Sequence, residues 1–189
     1  MGLVTNLYTA ATPEARSEYR RSVAAFNRPA NTTAYAVNTV ISNSTATARA
    51  LSFEGTGRSG CIKSVYLHTS EPGAVDYELL VFHEEPTNFT DGAALALTTS
   101  DLRHLLGTFT FNNLVRRPLA AGYATATYKA DVGNLSVGSG VLLAPPDVVF
   151  ASVTGTLFGL LVCRTAHTPF SNSLRYDIQL GIHTGRVFS

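Results

Sequence analysis

The chain has no tryptophan, a single methionine, and only 2 lysines against 12 arginines. Charged residues occupy 14% of the 189 positions, well below the usual quarter. Such scarcity excludes a disordered charged tail and a coiled coil, both of which draw on abundant Glu and Lys. A net charge of +1 removes any global electrostatic drive toward nucleic acid, and direct nucleic-acid binding is not expected. No apolar run reaches the roughly 18 residues that a membrane-spanning helix needs, so no membrane partner is expected either. Met1 to Asn6 offers no basic stretch followed by an apolar one, and no secretory leader is expected. Cys61 and Cys163 are too few for a disulfide framework. Their apolar neighbours predict two reduced, buried thiols in a chain made in a cytosol.

What is abundant points to one packed domain. Apolar residues make up 45% of the sequence, and Thr, Ser, Ala and Gly are frequent. From Tyr35 onward the pattern is β: short runs of small and β-branched residues, separated by turns such as Ser42-Asn43-Ser44 and Glu71-Pro72-Gly73. The clearest run is the last, where Leu174, Tyr176, Ile178, Leu180 and Ile182 alternate with polar residues and Gly181. Val148–Val153 and Thr156–Cys163 are mostly apolar, as strands covered on both faces would be. Ser100–Gly107 reads as a capped helix. Many short strands with long connections such as Glu84–Gly107 predict an all-β fold, a jelly-roll-like β-sandwich over residues 35–189. Residues 1–34 differ. Thr12 and Pro13 suit a helix start, and Ala15, Tyr19, Val23 and Phe26 fall on one helical stripe, so this segment is predicted to be an N-terminal arm with a short amphipathic helix. Its Arg16, Arg20, Arg21 and Arg28, with Tyr19 and Phe26, are the candidate partner-binding residues. A domain that needs so little charge to stay in solution fits a surface largely covered by partners.

Motifs that carry chemistry are weak. Gly55-Thr56-Gly57-Arg58-Ser59-Gly60 matches the dinucleotide fingerprint in letters, but the following Cys61–Leu67 reads as strand, whereas a pyrophosphate needs a helix N-terminus. Arg58 and Ser59 are therefore expected in a mobile hairpin loop. None of the five histidines is paired at metal-ligand spacing, although His83-Glu84-Glu85 would hold a hard cation if a third ligand came from elsewhere. Ser139 lacks the strand–turn–helix context of a nucleophile. No catalytic residue, cofactor site or metal site is assigned, and no enzyme is expected. Seven acidic residues and no basic one fall between Glu71 and Asp101, followed by four basic residues and no acid between Leu102 and Ala130. These are opposite-signed patches for neighbouring subunits, or ordinary solvated loops.

The order of the strand and turn segments resembles a family of tailed-bacteriophage capsid decoration, cement or auxiliary head proteins. The segments that carry the resemblance are residues 33–41, 50–53, 58–67, 79–86 and 157–164, with Thr168-Pro169, covering roughly residues 33 to 183. It implies a structural virion protein on the capsid exterior, made in the host cytoplasm. Such a protein would bind the major capsid protein as a homo-oligomer, dimer or trimer, and would bridge neighbouring capsomers. Two other readings remain open: a virion-surface carbohydrate-binding or adhesion module, and a tail or neck structural protein.

Overall fold

A computed structural model describes residues 18–30, 33–46, 49–71, 75–111, 116–120, 123–126, 131–132, 148–169 and 174–184, with backbone alone for 116–120, 123–126 and 131–132. Its elements in chain order are β1 (Glu18–Asn27), β2 (Thr39–Ile41), β3 (Leu51–Phe53), β4 (Ser59–Thr69) and β5 (Tyr77–Phe82). Then come α1 (Thr99–His104), β6 (Leu105–Phe111), β7 (Arg116–Ala120), β8 (Tyr123–Ala126), β9 (Asp131–Val132), β10 (Val148–Ala151), β11 (Leu157–Cys163) and β12 (Arg175–Thr184). One sheet has the order β1-β12-β4-β10; the other runs β2-β11-β5-β6-β9, with β3 also on β11; β7 and β8 form a ribbon. All pairings are antiparallel, and they nest: β1 with β12, β2 and β3 with β11, β4 with β10, and β5 with β6. First pairs with last and the middle strands pair with each other. That is a long hairpin rolled into two facing sheets, the jelly-roll wiring.

Side-chain parity explains the core. On β12, Tyr176, Ile178, Leu180 and Ile182 all face the opposite sheet and are fully buried. On β4, Val65 and Leu67 share one parity but Ile62 has the other, and all three are in the same core. The register shift opposite Gly181 and Ile182 resolves this: Ser64 and Ile62 pair with consecutive residues of β12, leaving Lys63 as a bulge that flips the parity. Each large apolar side chain so buried contributes about 1.5–3 kcal/mol, which outweighs an exposed ion pair such as Arg20–Glu18 at about 0–1 kcal/mol.

β11 is covered on both faces, as its apolar run predicts. Leu157, Leu161 and Cys163 enter the main core, while Leu160 and Val162 join a second cluster with Val40, Leu80, Phe82 and Phe89. The second cluster is roofed by the β5–β6 connection, which lays Leu95 and Leu97 over it and bonds its backbone to β2 (Val40 N to Ala93 O, 2.8 Å; Gly92 N to Val40 O, 2.9 Å). β10 departs from the same expectation. Among the described residues it is a sheet edge, its residues alternate, and Val149 is 55% exposed. Both cysteines are free and buried.

The N-terminal helix is not what forms over residues 18–27. This stretch is β1, paired residue for residue with β12 from Glu18↔Thr184 to Asn27↔Arg175. Ser22, Ala24 and Phe26 point inward while Tyr19 and Val23 point out, so the apparent helical stripe divides between two faces of a strand. Ten ladder positions on β12 outweigh a propensity signal worth a few tenths of a kcal/mol per residue. β1 thus belongs to the sandwich, and the part of the expected arm before Glu18, with Thr12, Pro13, Ala15 and Arg16, lies outside the described residues. The second predicted helix is present but shorter. Thr98 caps α1 in a reciprocal box with Asp101, and the chain turns to strand at Leu105, placing Gly107 inside β6.

Candidate functional site

β1 positions most of the predicted contact residues, and it sorts them into three groups. Tyr19 is half exposed; its ring lies edge-on to His183 and its hydroxyl is 3.5 Å from that of Ser64, two strands away. The reach is possible because Gly181 lies beneath: a Cβ there would overlap both hydroxyl oxygens. Arg20 is exposed and bonded to Glu18 at 2.8 Å, and Arg21 is exposed on the outer face. Phe26 and Arg28, in contrast, are internal. Phe26 stacks on Tyr176 at 5.3 Å, and the Arg28 side chain is fully buried. Both are buried among the described residues, and Phe26 also borders the groove beside β1.

Arg28 closes a buried polar corner. Its Nε donates to the Tyr35 hydroxyl at 2.9 Å, that hydroxyl donates to Asp91 Oδ1 at 2.6 Å, and its Nη2 lies 3.5 Å from Asp91 Oδ2. Ser42 N also donates to Asp91, and the guanidinium sits 4.9 Å over the Tyr35 ring. Burial, then the hydrogen bond to Asp91, pushes the Tyr35 hydroxyl far above the usual phenol range. The acidic stretch is accordingly not one surface patch. Glu71 and Asp101 are buried, as is the Asp91 side chain, and Glu78 lies 3.6 Å from Arg164.

Beside β1 the two sheets part. Among the described residues β1 has no strand on its far side, and the space between it and the β2–β3 edge is a groove of about 640 Å³. Residues 21–26 of β1, with Arg49, Leu51, Glu54 and Leu160, are among those that line it. Arg28 N bonds Leu174 O at 3.0 Å, which fixes the alternation of the ladder. Residues 22, 24 and 26 then bond β12, and the N–H groups of Arg21, Val23 and Ala25 point away from it. Ser22 Oγ donates to Glu54 O at 2.7 Å and tethers the two walls.

Two other clusters carry reactive groups. Cys163 Sγ is 3.3 Å from His167 Nδ1, and Glu71 lies 4.0 Å from His167 Nε2, an arrangement that sequence spacing did not suggest. Burial pushes the thiol up to about 11, and it donates to Thr165 O at 2.9 Å, so it is a neutral structural donor at physiological pH. The second cluster is His83, Glu84 and His104. His83 Nε2 is 3.3 Å from His104 Nδ1, and Glu84 Oε2 is 3.6 Å from His104 Nε2. His83-Glu84 was visible in the sequence as a possible ion site; His104 was not, since it lies 21 residues on and arrives through the α1–β6 junction. Glu85 is exposed and is not part of the cluster.

The glycine-rich loop is anchored at Thr56, while Arg58 and Ser59 are exposed. Gly55 and Gly57 take positive φ, and the buried Thr56 bonds Gly155 O through both its N–H and its hydroxyl. Strand β4 follows at Ser59, as the sequence implies.

No family model, curated protein or solved structure matches this chain.

Proposed function

We propose that this chain is a structural virion protein that decorates an assembled capsid shell and docks through the β1 edge. The occupant of that edge is an extended segment of the major shell subunit. It adds as a strand alongside β1 and sets carboxylates against Arg21 and Arg49. One observation carries the reading: a ten-residue edge strand whose outward N–H groups border a groove with two arginines that have no carboxylate partner among the described residues. An edge of that length is a template for strand addition, and main-chain bonds give such contacts their affinity. The jelly roll is also a recurrent fold of viral capsid domains, which supports the reading by analogy. On this reading the protein works without catalysis. It joins neighbouring capsomers as a homo-oligomer, so that several modest contacts add up through effective concentration.

The test is co-sedimentation of the full chain with expanded, undecorated shells from its source. Saturable binding at a fixed ratio to the shell subunit is expected. Absence of binding by a folded chain overturns the proposal.

A further inference from the structure

We propose that His83, Glu84 and His104 form a binding site for a borderline divalent transition-metal ion, with Zn²⁺ as the representative. The site is built where two strands end. His83 directly follows β5 and His104 directly precedes β6, so the two stand opposite each other one step beyond the Phe82↔Leu105 pair. Their backbones are joined, His83 N donating to His104 O at 3.1 Å. The register shift between Val81 and Phe82 leaves Leu106 as a bulge just inside this junction, a device that re-aims the side chains next to it.

The imidazoles already stand at chelating separation. A tetrahedral ion bonded to two nitrogens at about 2.0–2.1 Å holds them about 3.4 Å apart. His83 Nε2 and His104 Nδ1 are 3.3 Å apart, with the rings edge to face at 68°. Donor atoms from all three residues lie within 4.8 Å of one another. Glu84 Oε2 lies 3.6 Å from the other nitrogen of His104, Nε2, and its side chain is 55% exposed, so it is free to turn toward the His83–His104 pair and complete the set.

The segments that supply the ligands are held independently of any ion. Asp101 accepts from Thr98 N and Oγ1 at 2.8 and 2.7 Å, capping α1 three residues before His104. It also accepts from Thr87 N and Oγ1 at 2.8 and 2.9 Å, fixing the segment that leaves Glu84. One buried carboxylate therefore ties both ligand-bearing segments together, which lowers the ordering cost of binding.

Donor chemistry selects the class of ion. Two imidazoles and one carboxylate suit Zn²⁺ and its first-row neighbours, whereas Ca²⁺ takes six to eight oxygens and Mg²⁺ an octahedron of them. The hard cation that the His83-Glu84-Glu85 run suggests is thus replaced by a softer one once His104 joins. With three protein ligands and a partly exposed position, a water takes the remaining coordination site. The bound ion would clip the end of β5 to the α1–β6 junction. This site lies apart from the β1 groove, and the inference does not depend on the decoration reading.

The test is calorimetric titration of metal-stripped full-length chain with Zn²⁺, repeated with Ca²⁺. Absorption of the Co²⁺-loaded chain reports coordination geometry. One Zn²⁺ per chain, at least tenfold weaker binding in His83→Ala and in His104→Gln, and an intense four-coordinate Co²⁺ spectrum are expected. His68→Gln, outside the cluster, should bind as the wild type does. Circular dichroism checks that each variant folds; should His83→Ala fail, His83→Asn and Glu84→Gln replace it. No Zn²⁺ binding, binding unaltered by these substitutions, or a preference for Ca²⁺ would overturn the proposal.

Discussion

The two sheets bury their faces differently. In the sheet built around β11 and β5, both faces are covered: one by the opposite sheet, the other by the long β5–β6 connection with Phe89, Leu95 and Leu97. In the sheet built around β12 and β4, the inner face is as tightly packed, but the outer face carries Tyr19, Arg21, Val23 and Arg175 in contact with solvent. Both sheets serve stability, but among the described residues the second leaves the outer face of β1 exposed and gives β1 no strand on its far side. The fold thus roofs one sheet with the 22 residues between β5 and β6, and among the described residues no comparable connection covers β1 and β12 of the other.

The comparison is sharpest at Arg28, which marks where β1 passes from the bare side into the closed interior. Arg28→Ala strands Asp91 and the Tyr35 hydroxyl in a buried corner and should cost about 3–5 kcal/mol in denaturant unfolding. The double variant Arg28→Met with Asp91→Leu, which removes both charges, should recover most of that loss. On the covered sheet, Leu160→Ala opens a cavity in the second cluster and should cost about 2–4 kcal/mol. Similar losses from Val23→Ala would break the comparison, since the half-exposed Val23 should change stability by no more than about 0.5 kcal/mol.

A smaller effect belongs to the roof. Burial disfavours the charged form of Asp101, but hydrogen bonds from Thr87 and Thr98 outweigh it and hold the carboxyl down at about 2, below the usual carboxylate range. The folded value is below the unfolded one, so the unfolded chain binds more protons as the medium turns acid. The Asp101 contribution should be complete above its unfolded value and disappear as pH falls through the folded one. Urea midpoints of the wild type and Asp101→Asn should therefore converge at the acid end of that window. Thr98→Ala, which removes the cap hydroxyl, should cost about 1 kcal/mol at neutral pH. The smallest stability change is expected for Arg21→Glu, which should leave the unfolding midpoint almost unchanged while weakening shell binding in sedimentation.

Legibility from sequence followed the same division. β12 was readable because five large apolar residues sit on one parity, and β11 because both of its faces are buried. β1 was not, because two of its three inward residues are Ser22 and Ala24, beside a groove that needs no large side chain. Its outward Tyr19 and Val23 then dominate the pattern and imitate a helix. Arg28 read as a surface cation because its partner Asp91 is supplied by a distant connection. The His83–His104 pair depends on a bulge and a one-and-a-half-turn helix, neither of which leaves a periodic trace.

The central claim is that the β1 edge is where another chain docks. Residue-resolved amide hydrogen exchange of the full-length protein, free and shell-bound, tests it most directly. The account predicts slowed exchange at Arg21, Val23 and Ala25, whose N–H groups face away from β12, with little change in the already protected β11. Protection confined to other surfaces, with these three amides exchanging as in the free chain, would contradict it.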